Sequence, residues 1–313
     1  MLHLGVDLGG TNIAVGIVDE NGKLLASAST PTLKERPTEE IAKDIAMLCK
    51  KVVEDAGISM DEIDAIGMGS PGTIDSENGV IVYSNNIPMK NVKMAQMIQQ
   101  YIDKPVNIEN DANAAAMGEY AVNGNGAKSF VFITLGTGVG GGVVLDGKLY
   151  KGFNGAGAEL GHITTVAGGI ECTCGNHGCW EVYASVTALI RQTKEAIEKN
   201  PDSAMNDWVK EHGKVSGRTA FDCAKQGDEA AKAVVDAYIR HIGEGLVSVV
   251  NVFQPEIILI GGGISKEGDY ILNPLKEYVY QFDYNKYMPK TEIKMATLFN
   301  DAGIIGAAMA AVK

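Results

Sequence analysis

Two segments of the sequence repeat the same order of features, and this repeat restricts the possible folds more than any other feature. DLGGTNIAVGIVDENGKLL (7–25) resembles TLGTGVGGGVVLDGKLY (134–150), because each has a glycine turn after a strand, then an apolar strand and a Gly-Lys-Leu turn. IDAIGMGSPG (63–72) resembles EIILIGGGIS (256–265) in the same way. Matched pairs in one order indicate an internal duplication, and therefore two α/β halves of related topology.

Periodicity predicts the elements around these segments. The start of the chain reads as three strands, LHLGVDLGG, TNIAVGIVD and GKLLASAS, and 63–68 reads as a buried strand. A first amphipathic helix has its apolar face at Ile41, Ile45, Leu48 and Val52. A short Ala-rich helix is predicted at 112–120. A long helix at 228–253 carries a stripe that we interpret as core packing: Ala231, Val234, Tyr238, Ile242, Leu246 and Val249.

Composition argues against several classes of protein. The net charge is −12 and no basic stripe is visible, which argues against nucleic-acid and anionic-membrane partners. The N-terminus lacks the charged start and apolar core of a secretion signal. The longest uncharged apolar stretch, 130–145, is short for a membrane span. We therefore expect a soluble, cytoplasmic protein.

The glycine turns DLGGT and LGTGVGGG are candidate phosphate loops. The second contains G-x-G-x-x-G at 136–141, but VVLDGKLY after it reads as a β-hairpin, whereas a dinucleotide-binding fold requires a helix there. Without Cβ atoms, the N–H groups of such turns approach anionic oxygens closely. The two turns could thus face each other across a cleft and hold one nucleotide, with Asp7 holding Mg²⁺ through water. The alternative is that the glycines only permit tight turns.

Three of the five cysteines lie within CTCGNHGCWE (172–181). Disulfides rarely persist inside cells, and the C-x-C-x4-C spacing is not a redox C-x-x-C pair. The spacing therefore predicts a Zn²⁺ site with three thiolate ligands. The fourth ligand is either His177 within the segment or His162 before it, and spacing alone does not choose. Cys49 and Cys223 are interpreted as packed residues.

Six motifs together resemble the ROK family (repressors, open reading frames and sugar kinases). They are DLGGTN, ENDANAAAMGE, LGTGVGGG, GAGAELGHI, CTCGNHGCWE and IILIGGGIS, in the order found in that family, and the resemblance covers essentially the whole chain. It implies a bilobal actin-like ATPase (ribonuclease H-like) fold, with two duplicated α/β domains and a cleft between them. The expected domains are 1–120 plus 301–313, and 121–300 with the zinc knuckle.

The resemblance also implies site residues. The nucleotide-binding set is Asp7, Gly9, Gly10, Thr11, Asn12, Gly136, Thr137, Gly138, Gly261, Gly262 and Gly263. The sugar-binding set is Asn86, Asn110, Asp111, Glu159, His162 and Glu181. The zinc ligands are His162, Cys172, Cys174 and Cys179, which make a structural site because no coordination position stays open. Glu159, enclosed within GAGAELGH, is expected to be confined rather than on the surface.

Asp111 is the candidate catalytic base. The Ala-rich helix follows ENDAN directly, so Asn110 or Asp111 is equally suited to be its N-cap. The helix dipole keeps a carboxylate there ionised, which suits a proton acceptor but lowers its basicity. The resemblance assigns the hydroxyl proton to Asp111 and a sugar hydroxyl to Asn110.

The resemblance implies an ATP-dependent hexokinase close to the bacterial glucokinase branch. It would phosphorylate the 6-hydroxyl of glucose with ATP, Mg²⁺ and a structural Zn²⁺, as a homodimer or tetramer. Kinases for N-acetylmannosamine, N-acetylglucosamine, fructose or allose share the pattern, and SNNIPMKN (84–91) and Thr73 depart from the glucokinase form. A sugar-responsive transcriptional regulator of the same family is an alternative of another class. Its DNA-binding domain would precede the first strand, which is predicted to begin at residue 2.

Overall fold

The computed structural model describes residues 1–311 of the chain. The strands are β1 (Leu2–Leu8), β2 (Asn12–Asp19), β3 (Leu24–Pro31), β4 (Ile63–Ser70), β5 (Thr73–Asp75), β6 (Val80–Ser84), β7 (Met89–Val92), β8 (Val106–Asn110), β9 (Ser129–Leu135), β10 (Val139–Leu145), β11 (Lys148–Leu149), β12 (Ile257–Gly261) and β13 (Glu292–Met295). The α-helices are α1 (Thr38–Asp55), α2 (Met94–Gln99), α3 (Asp111–Asn123), α4 (Glu181–Ala184), α5 (Val186–Lys199), α6 (Ala204–His212), α7 (Thr219–Lys225), α8 (Glu229–Phe253), α9 (Asp269–Phe282) and α10 (Asp301–Ala310). Short 3₁₀ helices span Met60–Glu62, Leu160–His162 and Gly263–Glu267.

The strands form two sheets of the same plan and one smaller sheet. The first sheet has the order β3-β2-β1-β4-β8 and the second the order β11-β10-β9-β12-β13, while β5, β6 and β7 form the third. In each large sheet, the first three strands in chain order are neighbours. The two later strands lie on the other side of the first of these three. The predicted hairpin after LGTGVGGG is therefore confirmed as β10 and β11. The matching orders agree with the duplication predicted from the repeated segments.

The described chain divides into two compact units. The first comprises Met1–Phe132, Gly141–Ala158 and the described residues from Thr297 onward, and the second comprises Ile133–Gly140 and Glu159–Ala296. Residues 121–132 and 141–158 thus lie with the first unit. The domain limits expected from the sequence, 1–120 with 301–313 and 121–300, stay a prediction.

Alternation along β1 and β4 gives the first sheet two different faces. Successive side chains of a strand point to opposite faces. Apolar residues of both strands, such as Val6 and Ile66, pack with α1 in one core. On the other face Gly5 lies directly beside Gly67 in the parallel pair β1–β4. This pair of glycines leaves a strip of the sheet without side chains.

Helix α10 uses that strip to approach the sheet closely. A Cβ atom at Gly5 would lie 1.9 Å from the carbonyl oxygen of Ile304, and one at Gly67 would lie 1.7 Å from that of Ala307. Helix α3 packs on α10 just as closely, because a Cβ at Gly306 would lie 1.6 Å from the carbonyl oxygen of Ala114. The C-terminal helix α10 therefore packs within the N-terminal unit.

The predicted helices agree with the structure in their faces and starts. The stripe of the long helix is buried in α8, and Asp228 caps it by accepting a hydrogen bond from the Ala231 N–H at 2.7 Å. The four apolar positions predicted for the first helix are buried in α1. Within residues 1–311, no helix is both long enough and apolar enough to cross a membrane.

We expect Gly306→Ala to lower the free energy of unfolding by about 3 kcal/mol or more, since α10 and α3 would have to move apart. Gly263→Ala is the matched control, because a Cβ at Gly263 meets no heavy atom within 4 Å and should change stability by less than about 1 kcal/mol. Urea unfolding of both variants measures the difference. Equal stabilities would contradict the close packing.

Candidate functional site

The first glycine turn is fixed by hydrogen bonds at its base. It joins β1 to β2, and the Gly9 N–H donates to the Asn12 carbonyl oxygen at 2.9 Å. The buried Thr32 hydroxyl donates to the Gly9 carbonyl oxygen at 2.6 Å. Thr11 and Asn12 are exposed at the tip. These bonds hold the base of the turn, and glycine turns of this kind can bind phosphate oxygens through backbone N–H groups.

Asp7 and Asp111 interact at one edge of the first sheet. Strands β1, β4 and β8 are parallel, so their carboxyl ends lie at the same edge, where ligands bind in α/β proteins. Burial, and then the charge of Asp111, raise the pKa of Asp7 to about 6. Helix α10 covers Asp7, since a Cβ at Gly303 would lie 2.8 Å from its Oδ2. Two mutually repelling carboxylates at a sheet edge favour a bound cation.

The start of α3 holds Asp111 in place. Asn110 is the N-cap, and its Oδ1 accepts hydrogen bonds from the N–H groups of Ala112 at 2.9 Å and Asn113 at 3.2 Å. Its Nδ2 donates to the Gly72 carbonyl oxygen at 3.1 Å. Burial raises the pKa of Asp111, while the hydrogen bond from the Ala112 N–H opposes the rise, so burial outweighs the lowered basicity expected at a helix start. Of the two N-cap candidates, Asn110 therefore fills that position and leaves Asp111 as the first helical residue.

Asn86 lies beside the first glycine turn. A Cβ at Gly10 would lie 3.6 Å from the Asn86 carbonyl oxygen, and the Asn86 side chain is exposed. The first unit therefore brings Asp7, the glycine turn and Asn86 together, and Asp111 interacts with this group through Asp7.

The second glycine turn lies in the second unit and is held by the segment after the cysteines. The Val186 N–H donates to the Gly136 carbonyl oxygen at 2.8 Å, and the Thr187 hydroxyl donates to that of Thr137 at 2.7 Å. The Val139 N–H donates to Glu181 Oε2 at 2.9 Å. A Cβ at Gly138 would lie 2.1 Å from the same oxygen, so a larger residue there would displace the Glu181 carboxylate. Sequence reasoning missed this role of Glu181, because no local pattern pairs a carboxylate with an N–H so far along the chain.

The glycines after β12 lie beside the end of β9. Gly262 has φ of +83°, and a Cβ there would lie 2.2 Å from the Leu135 carbonyl oxygen. Gly262 is therefore required for the backbone to pass this strand, whereas Gly263 faces open space.

Four side chains of the second unit form a candidate metal centre. The ligand atoms of His162, Cys172, Cys174 and Cys179 all lie within 4.8 Å of one another. Cys172 Sγ is 3.7 Å from His162 Nδ1, and Cys174 Sγ is 3.7 Å from Cys179 Sγ. Two thiolates bound tetrahedrally at a Zn–S length of about 2.3 Å would be about 3.8 Å apart. A hydrogen bond from the Asn176 N–H lowers the pKa of the Cys174 thiol. The donor set and its spacing fit zinc.

The structure decides two points that the sequence left open or predicted wrongly. His177 is exposed and lies outside the cluster, so the histidine of the cluster is His162. Glu159 is exposed, and the expectation that it is confined is wrong. It precedes the 3₁₀ helix Leu160–His162, in which Leu160 and Gly161 take the buried positions instead.

Comparison with known proteins gives matches over the whole chain. The family model described as the ROK family matches residues 3–313. The glucokinase of Thermotoga maritima is 38% identical over 307 residues, which cover 97% of this chain and 95% of that protein. The xylose repressor of Caldicellulosiruptor bescii is 28% identical over 304 residues, which cover 97% of this chain and 76% of the repressor.

Solved structures give the same result for the fold. A ROK family glucokinase from Streptomyces griseus, crystallised with glucose and AMPPNP, is 34% identical with a TM-score of 0.83, and the match covers 99% of each chain. This likeness confirms the predicted α/β, actin-like ATPase fold class.

The raised pKa of Asp7 predicts how stability depends on pH. The pKa of its carboxyl is about 6 in the folded protein, above the ordinary value of 3.8 for an aspartate, so the folded state binds the proton more tightly. Stability is therefore lost as pH rises through this interval, and the loss is complete above pH 6. We expect Asp7→Asn to be more stable than the unsubstituted protein by about 1–2 kcal/mol at pH 7.5 and nearly equal to it at pH 4.

Urea unfolding without ligands at the two pH values measures this difference. Asp75→Asn is the control of opposite sign, because hydrogen bonds from Asn78 lower the pKa of Asp75. That variant should lose stability at pH 7.5. A difference for Asp7→Asn that does not change with pH would show that its carboxyl is not perturbed.

Proposed function

This chain belongs to the ROK family, and on that premise we propose that it is an ATP-dependent sugar kinase that phosphorylates the 6-hydroxyl of glucose. The observation that carries the proposal is the place of Asp111, a carboxylate held at the start of α3 and interacting with Asp7 beside the first glycine turn. Glucokinase relatives and a structural neighbour crystallised with glucose and AMPPNP support this pair of substrates.

Asp111 would act on the acceptor hydroxyl. Phosphoryl transfer requires an aligned nucleophile, neutralised phosphate charge and an acceptor for the hydroxyl proton. In the proposed reaction the 6-hydroxyl donates a hydrogen bond to the Asp111 carboxylate and transfers its proton there. The oxygen then bonds to the γ-phosphorus while the bond to ADP breaks. Because burial raises the pKa of Asp111, it is a stronger base than an exposed aspartate.

The first glycine turn and Asp7 would hold the phosphate donor. The N–H groups of the turn bind phosphate oxygens, with Gly9 fixed by Asn12 and Thr32. Mg²⁺, when bound, would neutralise phosphate charge near Asp7. A cation there also relieves the repulsion between Asp7 and Asp111 that raises the pKa of Asp7. The glycines at 136, 138 and 261–263 are proposed to complete the nucleotide site.

Asn86, Asn110, Glu159, His162 and Glu181 are proposed to bind the sugar hydroxyls. Asn110 would do so with hydrogen-bonding capacity beyond the bonds it makes within the chain, since an amide oxygen accepts and an amide nitrogen donates more than once. Glu181 Oε2 accepts from Val139 N–H, and the second oxygen would serve the sugar. His162 Nδ1 faces Cys172, so the other ring nitrogen, Nε2, would donate to the sugar.

The cysteine cluster is proposed to bind a structural Zn²⁺. When bound, the ion would fix the geometry of residues 162–181 by cross-linking one histidine and three cysteines. Glu181 lies two residues after the last ligand and accepts a hydrogen bond from the Val139 N–H. A metal that fixes residues 162–181 would therefore also fix the second glycine turn.

We expect Asp111→Asn to lower kcat about 100-fold or more while glucose affinity stays within a few-fold, because the amide keeps the shape but does not accept a proton. A coupled ADP-release assay over a panel of hexoses and N-acetylhexosamines measures turnover, and calorimetry measures glucose binding. In the unsubstituted protein glucose should give the highest kcat/KM of the panel.

Asp269→Asn is the matched control, because Asp269 is likewise the first residue of a helix, α9. Its turnover should stay unchanged. Full turnover in Asp111→Asn would reject the role of this carboxylate, and the absence of sugar-dependent ADP formation with the whole panel would reject the kinase.

We expect about one Zn²⁺ per chain, and its loss in Cys174→Ser. Cys174 is exposed, so the substitution removes a ligand without leaving a cavity in the core. Cys223→Ala is the control, because Cys223 is a buried thiol outside the cluster. Elemental analysis and thermal unfolding of both variants test the assignment. Full zinc content in Cys174→Ser would exclude this thiol as a ligand.

A further inference from the structure

Glu109 is a buried carboxylate directly before the proposed sugar and catalytic residues. It is 7% exposed and lies in β8, one residue before the N-cap Asn110. Its neighbour Ile108 is also buried, so β8 is covered on both faces. A buried carboxylate is unfavourable unless it is paired and hydrogen-bonded.

Both oxygens of Glu109 are hydrogen-bonded by groups from different segments. Oε2 accepts from Lys151 Nζ at 2.5 Å and from the Ser76 hydroxyl at 3.3 Å. Oε1 accepts from the Asn110 N–H at 3.1 Å and from Asn113 Nδ2 at 3.2 Å. One oxygen therefore contacts distant segments, and the other contacts the start of α3.

The contacts of Oε1 lie on both sides of Asp111, one to a backbone N–H and one to a side-chain amide. The Asn110 N–H precedes Asp111, and the Asn113 side chain comes from the first turn after it. Asn113 is 6% exposed, so its amide is held inside the core beside Glu109. The orientation of Asp111, the first residue of α3 after β8, thus depends on the position of the Glu109 carboxylate.

Lys151 is anchored on a closed loop. The Gly157 N–H donates to the Lys151 carbonyl oxygen at 2.9 Å, which closes residues 151–157 into a loop. A Cβ at Gly157 would lie 2.6 Å from the Gly152 nitrogen, so the two sides of the loop touch through backbone atoms. The backbone of Lys151 is therefore constrained by the closed loop, and its side chain binds Glu109 from this fixed position.

We propose that Glu109, held by Lys151, is a positioning residue that sets the orientation of Asp111 toward the acceptor hydroxyl. The proposal rests on the proposed kinase function for its effect on turnover. That Glu109 orders the first turn of α3 is a structural statement, and it is independent of any reaction.

A double-mutant cycle tests the pair. Glu109→Gln keeps the size of the side chain but removes the charge that binds Lys151, and Lys151→Met removes the partner. We expect each to lower kcat about 10- to 100-fold with the KM for ATP within about twofold. The double variant should lie within about threefold of either single variant, because both remove the same interaction. Lys151→Arg should restore most of the turnover.

Asp283→Asn is the matched control, since Asp283 is a buried carboxylate (2% exposed) paired with Lys290 at 2.6 Å in the second unit. It should lower the melting temperature without lowering kcat. Hydrogen exchange of the Ala112 and Asn113 amides gives a second readout, and we expect exchange at least about tenfold faster in Glu109→Gln.

The two proposals fail in different ways. No sugar-dependent turnover in the unsubstituted protein would reject the kinase, and the exchange rates would then decide the positioning role. Unchanged exchange at Ala112 and Asn113 in Glu109→Gln would overturn that role. A loss of kcat no larger than that of Asp283→Asn, at equal loss of melting temperature, would also overturn it.

Discussion

The close approach of α10 to the first sheet is the constraint on which the rest of the first unit depends. It requires glycine at two neighbouring positions of parallel strands, Gly5 and Gly67, where a Cβ would overlap the helix backbone. The same helix packs on α3 through Gly306. Dense packing of this kind allows only one arrangement of the elements involved. Sheet edge, α10 and the start of α3 are thereby fixed relative to one another, and the carboxylates at that edge are fixed with them.

The same packing places charge where it is unfavourable without a ligand. Asp7 continues the glycine-bearing face of β1 and lies under α10 at Gly303. Burial there, together with Asp111, raises its pKa. Burying a carboxylate beside another one destabilises the fold. Clusters of acids with shifted pKa values are typical of binding and catalytic sites. The packing of α10 on the first sheet therefore also buries the Asp7 carboxylate of the proposed site.

Local sequence signals were sufficient for the strands and helices that were predicted and for the grouping of three cysteines. Strand alternation, the apolar face of α1 and the stripe of α8 each follow from a short-range period, and the cysteines are close together in sequence. The sequence did not choose between His162 and His177 by spacing, because the choice depends on how a loop folds back. The exposure of Glu159 was predicted wrongly, since glycines on both sides indicate tight turns but not which side chain faces solvent.

Long-range pairs were beyond sequence reasoning. Glu109 and Lys151 are 42 positions apart, as are Val139 and Glu181, and neither pair follows from a period or a motif. Both pairs hold backbone next to proposed ligand-binding residues. Candidate site residues are therefore readable from motifs, whereas the groups proposed to orient them become visible only when the fold brings distant segments together.

The central claim is that Asp111 receives the sugar hydroxyl beside the first glycine turn. A crystal structure of this protein with glucose and a non-hydrolysable ATP analogue tests it most directly. We predict the 6-hydroxyl oxygen at about 2.6–3.2 Å from an Asp111 carboxylate oxygen, with phosphate oxygens on the turn at residues 9–12. A sugar bound with its 6-hydroxyl turned away from Asp111, or phosphates bound away from that turn, would contradict the account.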